Sequence, residues 1–206
     1  MNIGVFISGN GTNMEAVVRR WKEGGFSQVE QVSFVLSDNP QAAGIEKAVR
    51  LGVPVLVLPR GKGETRKQHE KRILETIAEY RVGLIVLAGF MRVLSPFFLT
   101  AFEGKIINIH PSLLPAFPGI DAQRQAFDHG VKVTGCTVHF VDENLDGGPI
   151  ILQKAVERRD KDDVESLRLR ILAEEHRLLG DAIEIVTTGR YRVEGRYVVT
   201  EMNHEN

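Results

Sequence analysis

The sequence has almost no cysteine and almost no net charge. Cys136 is the single cysteine among 206 residues, which excludes an intrachain disulfide and any metal site built from several cysteines. It lies in the apolar run Val133–Val141, which predicts a buried structural thiol rather than a nucleophile. The formal net charge is −1, so no global field attracts nucleic acid or an anionic membrane. An anionic ligand would therefore need a local site.

Long apolar runs are also missing. No stretch approaches the roughly 20 apolar residues that span a bilayer. The first residues, Met1–Phe6, lack the basic segment and long apolar stretch of a signal peptide. We therefore expect a cytoplasmic protein that acts on small molecules, with no nucleic-acid or membrane partner. The composition, 43% apolar and 26% charged residues, is that of a soluble globular protein, and the length fits one domain.

Short β-branched runs alternate with helical patterns through the first half of the chain. Their continuous hydrophobicity is typical of strands that are covered on both faces, as in a parallel sheet. This alternation predicts an α/β, Rossmann-like fold, with a mostly parallel central sheet and helices on both faces. The predicted strands are Ile3–Ser8, Val32–Ser37, Val53–Leu58 and Leu84–Ala88, and the predicted helices are Asn13–Glu23, Ala42–Leu51 and Thr65–Tyr80.

The pattern of the second half of the chain is different, and it ends in a predicted hairpin. Ser95-Pro96 is typical of a helix start, because a capping residue precedes a proline at the first helical position. The tail Tyr191–Val199 alternates around Glu194-Gly195, which predicts a small hairpin. The remaining predictions are strands at Lys105–Ile109, Val133–Val141 and Pro149–Val156, and helices at Asp121–His129 and Val164–Thr187.

The first predicted strand enters a helix through the glycine-rich turn Ser8–Asn13. Glycines allow a tight turn, and free N–H groups at a helix start attract an anion. Because such folds bind ligands at the carboxyl edge of the sheet, phosphate binding is favoured over a plain structural turn. A dinucleotide fingerprint would require glycine in place of Met14 and an acidic residue earlier than Asp38. A monophosphate is the better candidate.

Asn108 and His110 lie at the end of a strand that otherwise consists of isoleucines. Residues two apart on a strand share a face, so both side chains point the same way. An amide and an imidazole can stabilise an oxygen that gains negative charge, and the imidazole can also carry a proton. A structural histidine is the alternative, which the pairing with Asn108 and the proline-bearing loop Pro111–Gly119 disfavour. Asp146 is either a third member of this site or an ordinary turn aspartate.

Together these motifs resemble the glycinamide ribonucleotide transformylases, the folate-dependent formyltransferases of purine synthesis. The resemblance covers about residues 1–189, and its motifs follow one another at family spacing. They are Ser8–Asn13, Ala88–Arg92, Asn108–Pro115, and Gly135–Val141 followed by Asp146–Ile150. The resemblance implies transfer of a formyl group from 10-formyltetrahydrofolate to the amine of glycinamide ribonucleotide, without a metal. It also implies one formyltransferase domain over residues 1–206, with a phosphate-binding half to about 100, a catalytic and folate-binding half at about 101–189, and the hairpin at about 190–200.

The same resemblance implies roles for single residues. Asn108, protonated His110 and Asp146 would carry out catalysis, while Glu175 would hold the substrate ribose. Without the resemblance, Glu175 and Arg66 would be interpreted as solvated helix residues. The substrate phosphate would be bound by Asn10, Gly11, Thr12 and Asn13. The folate pocket would be lined by Arg66, Met91, Arg92, Val93, Leu94, Asn108, Val141, Asp142, Glu143 and Asp146.

Two positions depart from the family pattern, and several alternatives stay open. Asp121 stands where some members have histidine, and Leu172 where some have a polar residue, while His139 is expected to be structural or to line the pocket. A formyltetrahydrofolate hydrolase would share the catalytic residues, and a methionyl-tRNA formyltransferase would add a basic domain. A non-catalytic nucleotide-binding module would use only the glycine-rich turn, and Met14 disfavours an NAD-dependent dehydrogenase. We expect a monomer or a homodimer.

Overall fold

The structure, a computed structural model, describes residues 1–200. The chain forms two compact units, of which the first covers Met1–Asn108 and the second begins at Ile109. One strand, β5 (Ile106–His110), continues from the first unit into the second. The single-domain organisation expected from the sequence stays a prediction.

The first unit is built on a parallel sheet. Besides β5, its strands are β1 (Asn2–Ile7), β2 (Gln31–Ser37), β3 (Val55–Val57) and β4 (Leu84–Leu87). They lie in the order β3-β2-β1-β4-β5, and every neighbouring pair is parallel. The strands β1, β2 and β4 are buried along nearly their whole length, as the continuous apolar runs predicted.

Helices cover both faces of this sheet. They are α1 (Thr12–Lys22), α2 (Gly44–Arg50), α3 (Arg66–Ile77, followed by a 3₁₀ turn at Ala78–Tyr80) and α4 (Pro96–Ala101). Since crossovers are right-handed, α1 and α2 lie on one face, and the return of the chain to the far side of β1 places α3 and α4 on the other. This reversal of strand order between β1 and β4 opens the crevice in which such sheets bind ligands.

Phe6 on β1 is the centre of an aromatic cluster that fixes the end of the neighbouring strand. Its ring centroid lies 6.2 Å from that of Phe34, 6.1 Å from that of Phe98 and 5.3 Å from that of Phe90. Phe90 lies three residues after the end of β4. The segment Met91–Leu94 therefore leaves the sheet from a well-packed residue.

The second unit combines an antiparallel pair of strands with a long helix. Its elements are α5 (Ala122–Asp128), β6 (Val133–Phe140), β7 (Ile150–Glu157), α6 (Val164–Thr188), β8 (Tyr191–Glu194) and β9 (Tyr197–Thr200). The strands β6 and β7 are antiparallel, and α6 packs on both. A capping box starts α6, in which the side chain of Asp163 accepts from the Ser166 N–H. The strands β8 and β9 form the predicted hairpin.

Cys136 on β6 is fully buried, as predicted. Burial raises the pKa of its thiol to about 12, and the negative charge of Glu175 acts in the same direction. The thiol therefore stays protonated at neutral pH, which agrees with a structural role. Within residues 1–200, the helices are too short or too polar to cross a membrane.

Candidate active site

The glycine-rich turn is closed by direct contact with the start of α2. Gly11 has a φ of 66°, and a Cβ on it would lie 2.7 Å from the Cα of Gly44. The Gly44 N–H donates to the carbonyl of Gly9 at 3.0 Å, so backbone packs on backbone. Gly11 is also the N-cap of α1, where it has no side chain that could occupy the N–H groups of the first turn. These groups face the carboxyl edge of the sheet and suit an anion.

Ser8 joins the ends of three strands at this edge. Its hydroxyl donates to Asp38 Oδ1 at 2.5 Å and accepts from the Met91 N–H at 2.9 Å. Asp38 is buried, and its second oxygen pairs with Arg92 Nε. The side chain of Asn39 donates to the Ser8 carbonyl at 3.1 Å. The turn predicted for phosphate and the segment predicted for folate thus share one hydrogen-bonded network.

Glu70 holds the other end of the segment Met91–Leu94. This buried carboxylate accepts from the Ser95 N–H at 2.8 Å and from Arg66 Nε at 3.3 Å, and the Ser95 hydroxyl donates to it as well. Ser95 precedes α4 as predicted, but its side chain does not cap the helix, because Glu70 has engaged it. Arg66 also donates to the carbonyl of Val93.

A cavity of about 260 Å³ lies among these groups. Four of the residues predicted for folate line it, together with one further arginine and the carboxylate of Glu70. They are Arg66, Arg92, Val93, Leu94 and Arg60. Met91 lies outside this lining and is 71% exposed. The lining combines apolar side chains with guanidinium groups, which is suited to an aromatic ligand that carries carboxylates.

His110 and Asp146 lie together in the second unit. The distance from His110 Nδ1 to Asp146 Oδ2 is 3.4 Å, and both side chains are largely buried. The same oxygen of Asp146 accepts from the Gly119 N–H at 2.7 Å. Asp146 therefore reaches a backbone group 27 residues away in sequence and a histidine, which an ordinary turn aspartate does not do.

The second ring nitrogen of His110 has a different partner. Nε2 lies 2.8 Å from the carbonyl of Phe117. A carbonyl only accepts, so Nε2 carries a proton in this contact. Nδ1 can then donate towards Asp146 only when the ring is fully protonated. The arrangement thus suits the imidazolium form that the predicted role requires.

The proline-bearing loop after β5 is held by side chains from β6 and β7. The hydroxyl of Thr137 donates to the Ser112 carbonyl at 2.7 Å and accepts from the Leu114 N–H at 3.1 Å. Gln153 donates to the Leu114 carbonyl at 2.9 Å. These contacts fix the loop that presents Phe117 to His110. Thr137 is buried and Gln153 is exposed, and the sequence carries no signal for either beyond a polar residue on a predicted strand.

His139 lies on the other side of Asp146. Its Nε2 is 3.8 Å from Asp146 Oδ1, and its Nδ1 donates to the carbonyl of Phe140 at 2.8 Å. Burial lowers the pKa of His139, while the Phe140 carbonyl and the charge of Asp146 oppose the shift. The ring is therefore neutral at physiological pH, in agreement with the structural or lining role expected of it.

We expect the neutral, buried ring of His139 to make stability depend on pH. Because the folded-state pKa lies below the unfolded value, the unfolded chain binds a proton first, and the free energy of unfolding falls as pH drops below about 6.5. In His139→Asn this loss should shrink by up to about 1.4 kcal/mol per unit of pKa shift. Denaturant unfolding between pH 5 and 8 measures it, with exposed His129→Asn as the control. Equal pH dependence of wild type and His139→Asn would contradict the expectation.

Other predicted residues fall into distinct environments. Asn108 is half-buried between fully buried neighbours on β5, and Glu175 on α6 is buried rather than solvated. Asp121, at the position of departure from the family, pairs with Arg168 at 3.0 Å and Arg124 at 3.5 Å. In the part of the chain that the structure describes, no three His, Cys, Asp or Glu side chains are grouped to hold a metal ion.

Comparison with known proteins identifies clear relatives. Residues 1–183 match the family described as Formyl transferase. A phosphoribosylglycinamide formyltransferase of Bacillus subtilis (strain 168) is 48% identical, covering 84% of this chain and 88% of its own length. One from Escherichia coli (strain K12) is 37% identical over 94% of this chain and 90% of its own. The crystal structure of glycinamide ribonucleotide transformylase 1 from Symbiobacterium toebii has a TM-score of 0.93 and 49% identity, covering 97% of this chain and 93% of that one. This similarity confirms the predicted fold class.

Proposed function

The chain belongs to the formyl transferase family, and on that premise we propose that it transfers a formyl group from 10-formyltetrahydrofolate to the amine of glycinamide ribonucleotide in purine biosynthesis. The observation that carries this proposal is the largely buried side chain of Asp146, which lies 3.4 Å from His110 and accepts from the Gly119 N–H. Relatives of the same name, similar over most of both chains, support the choice of reaction.

The substrate nucleotide would be bound through its phosphate at the glycine-rich turn. The first N–H groups of α1 provide donors that Gly11 does not cap, and the helix dipole favours a negative charge there. Asn10, Thr12 and Asn13 would add donors from the same turn. Glu175 would accept hydrogen bonds from the ribose hydroxyls. Its carboxylate is buried, which is consistent with this role and is not expected of a solvated helix residue.

The folate would be held by the segment Met91–Leu94 and by the loop that begins at Val141. Arg66 and Arg92 line the cavity described above, so their guanidinium groups would face the carboxylates of the folate tail. Both arginines already pair with buried acids, Glu70 and Asp38, which orient them. Asp142 and Glu143, on the loop before Asp146, would contact the pterin through the backbone.

The reaction needs one bond made, one bond broken and one proton moved. The neutral amine of glycinamide attacks the formyl carbon, and the carbonyl oxygen becomes an oxyanion. The Asn108 amide and the His110 imidazolium, on one face of β5, would stabilise that oxygen. The carbon–nitrogen bond to folate then breaks, while a proton leaves the attacking nitrogen and another reaches the departing one.

Asp146 would act mainly through its charge. Its distance to His110 Nδ1 exceeds that of an ordinary N–H···O hydrogen bond, so the Nδ1 proton remains available to the oxyanion or to the departing nitrogen. A carboxylate in this position stabilises the imidazolium without removing its proton. A water molecule would carry the proton from the attacking nitrogen to the departing folate nitrogen.

The test of the proposal is a spectrophotometric transfer assay with 10-formyltetrahydrofolate, with and without glycinamide ribonucleotide. We expect deformylation of the folate to require the ribonucleotide. Equal rates with water alone would make the protein a hydrolase and would leave the glycine-rich turn unexplained. Absence of folate binding would instead favour a nucleotide-binding module. The monomeric or homodimeric state and the cytoplasmic location stay predictions.

A further inference from the structure

The tip of the terminal hairpin contacts the loop that carries Asp146. Gly195 and Arg196 form a two-residue connection between the paired residues Glu194 and Tyr197, and Gly195 has a φ of 62°. This tight turn presents the side chain of Arg196 at the hairpin tip. Arg196 Nη2 donates to the carbonyl of Gly147 at 3.1 Å. Gly147 is the residue directly after Asp146.

The hairpin also touches both ends of that loop. The ring of Tyr191 on β8 lies 5.4 Å from the ring of Phe140, the last residue of β6 before the loop. Tyr197 on β9 pairs in parallel with Ile150, the first residue of β7 after the loop. The hairpin thus contacts the residue before the loop, the residue after the loop and the residue next to Asp146, each through a different one of its own residues.

The backbone of this loop is constrained at Asp146, the proposed catalytic carboxylate. Asp146 has a φ of 49°, a left-handed conformation that is less favourable than the usual regions for a non-glycine residue, although Asp and Asn adopt it more readily than most. Gly148 packs so tightly that a Cβ on it would lie 1.9 Å from the Phe140 carbonyl. Arg196 contacts the backbone next to Asp146, and the Gly119 N–H donates to the Asp146 side chain.

We propose that Arg196 is a positioning residue for formyl transfer, acting through the Gly147 carbonyl to keep Asp146 in its φ-positive conformation beside His110. This inference rests on the proposed function. Arg196 lies beyond residue 183, where the match to the family ends, so the hairpin extends the site with a segment outside that match. Loss of Arg196 should lower the population of the competent loop without changing any group that touches substrate.

The kinetic experiment compares Arg196→Ala with Arg196→Lys and with Arg192→Ala, whose arginine pairs with Glu194 inside the hairpin. We expect kcat to fall about three- to tenfold in Arg196→Ala, the range that corresponds to one lost hydrogen bond. The KM for glycinamide ribonucleotide should change less than twofold. Arg196→Lys, which keeps one donor, should recover part of the loss, and Arg192→Ala should match the wild type.

Combining Arg196→Ala with Asp146→Asn distinguishes positioning of Asp146 from a general effect on the stability of the protein. In Asp146→Asn, where the charge is already lost, Arg196→Ala should change the residual kcat less than twofold, because both changes act on one group. The same three- to tenfold loss in both backgrounds, or an equal loss in Arg192→Ala, would overturn the proposal.

Hydrogen exchange keeps the test independent of the reaction. The Gly119 N–H reports on Asp146 directly, since it donates to that carboxylate. Its exchange should accelerate about three- to tenfold in Arg196→Ala and stay unchanged in Arg192→Ala. Unchanged exchange in Arg196→Ala would refute the positioning role. A wild type that exchanges as expected but transfers no formyl group would refute the proposed reaction and leave the loop contact standing.

Discussion

Asp146→Asn is expected to lower kcat for formyl transfer by about 10²–10⁴-fold, the usual contribution of a positioned acid–base group. Asparagine has the same shape, tolerates the positive φ of this position and keeps an oxygen that can accept from the Gly119 N–H. The substitution therefore removes the negative charge beside His110 and little else. Steady-state rates with 10-formyltetrahydrofolate and glycinamide ribonucleotide at pH 7.5 measure the effect.

The control for this change is Asp160→Asn, the same substitution at an exposed carboxylate that pairs with Lys132 at 3.4 Å. It should keep wild-type kcat and KM. The free energy of unfolding of Asp146→Asn should stay near that of the wild type, so that the lost rate is not lost protein. A kcat within threefold of the wild type would show that the charge of Asp146 is not needed.

The sheet of the first unit could be predicted because its signal is local. The continuous apolar runs of β1, β2 and β4 require cover on both faces, and the helices between them were readable from their periodicity. The predicted strand Val53–Leu58 is longer than the observed β3, in which only Val55–Val57 pair with β2. Pro54 explains the difference at one end, since it has no N–H and β3 lies at the edge of the sheet.

The candidate catalytic residues could be proposed from the sequence, but their contacts could not. Asn108 and His110 share a strand, so their common face follows from the period of two. Asp146 lies in a different loop, and no spacing rule connects it to His110. Their approach depends on β6, β7 and the hairpin, which together set the course of the loop.

The supporting residues were missed because their patterns look ordinary. Glu70 occupies a helix position that reads as solvated, yet it is buried against Ser95 and Arg66. Asp38 was considered only as a dinucleotide ligand, whereas it pairs with Arg92 and Ser8. Burial of a single polar residue is decided by elements far away in sequence, so composition and periodicity carry no signal for it.

Asn108→Asp is expected to lower kcat by at least the 10²–10³-fold that follows loss of one donor to an oxyanion. The carboxylate has the shape of the amide, but it replaces an N–H donor with a negative charge near the oxygen that becomes negative. Asn108 is half-buried on β5, where screening by water is weak. The matched control is Asn2→Asp at the opposite end of the sheet, where the amide donates to the Tyr80 carbonyl at 3.3 Å. If Asn108→Asp kept wild-type kcat while the control did too, oxyanion stabilisation by Asn108 would have to be abandoned. A selective loss of kcat with little change in KM would place its effect in the transition state.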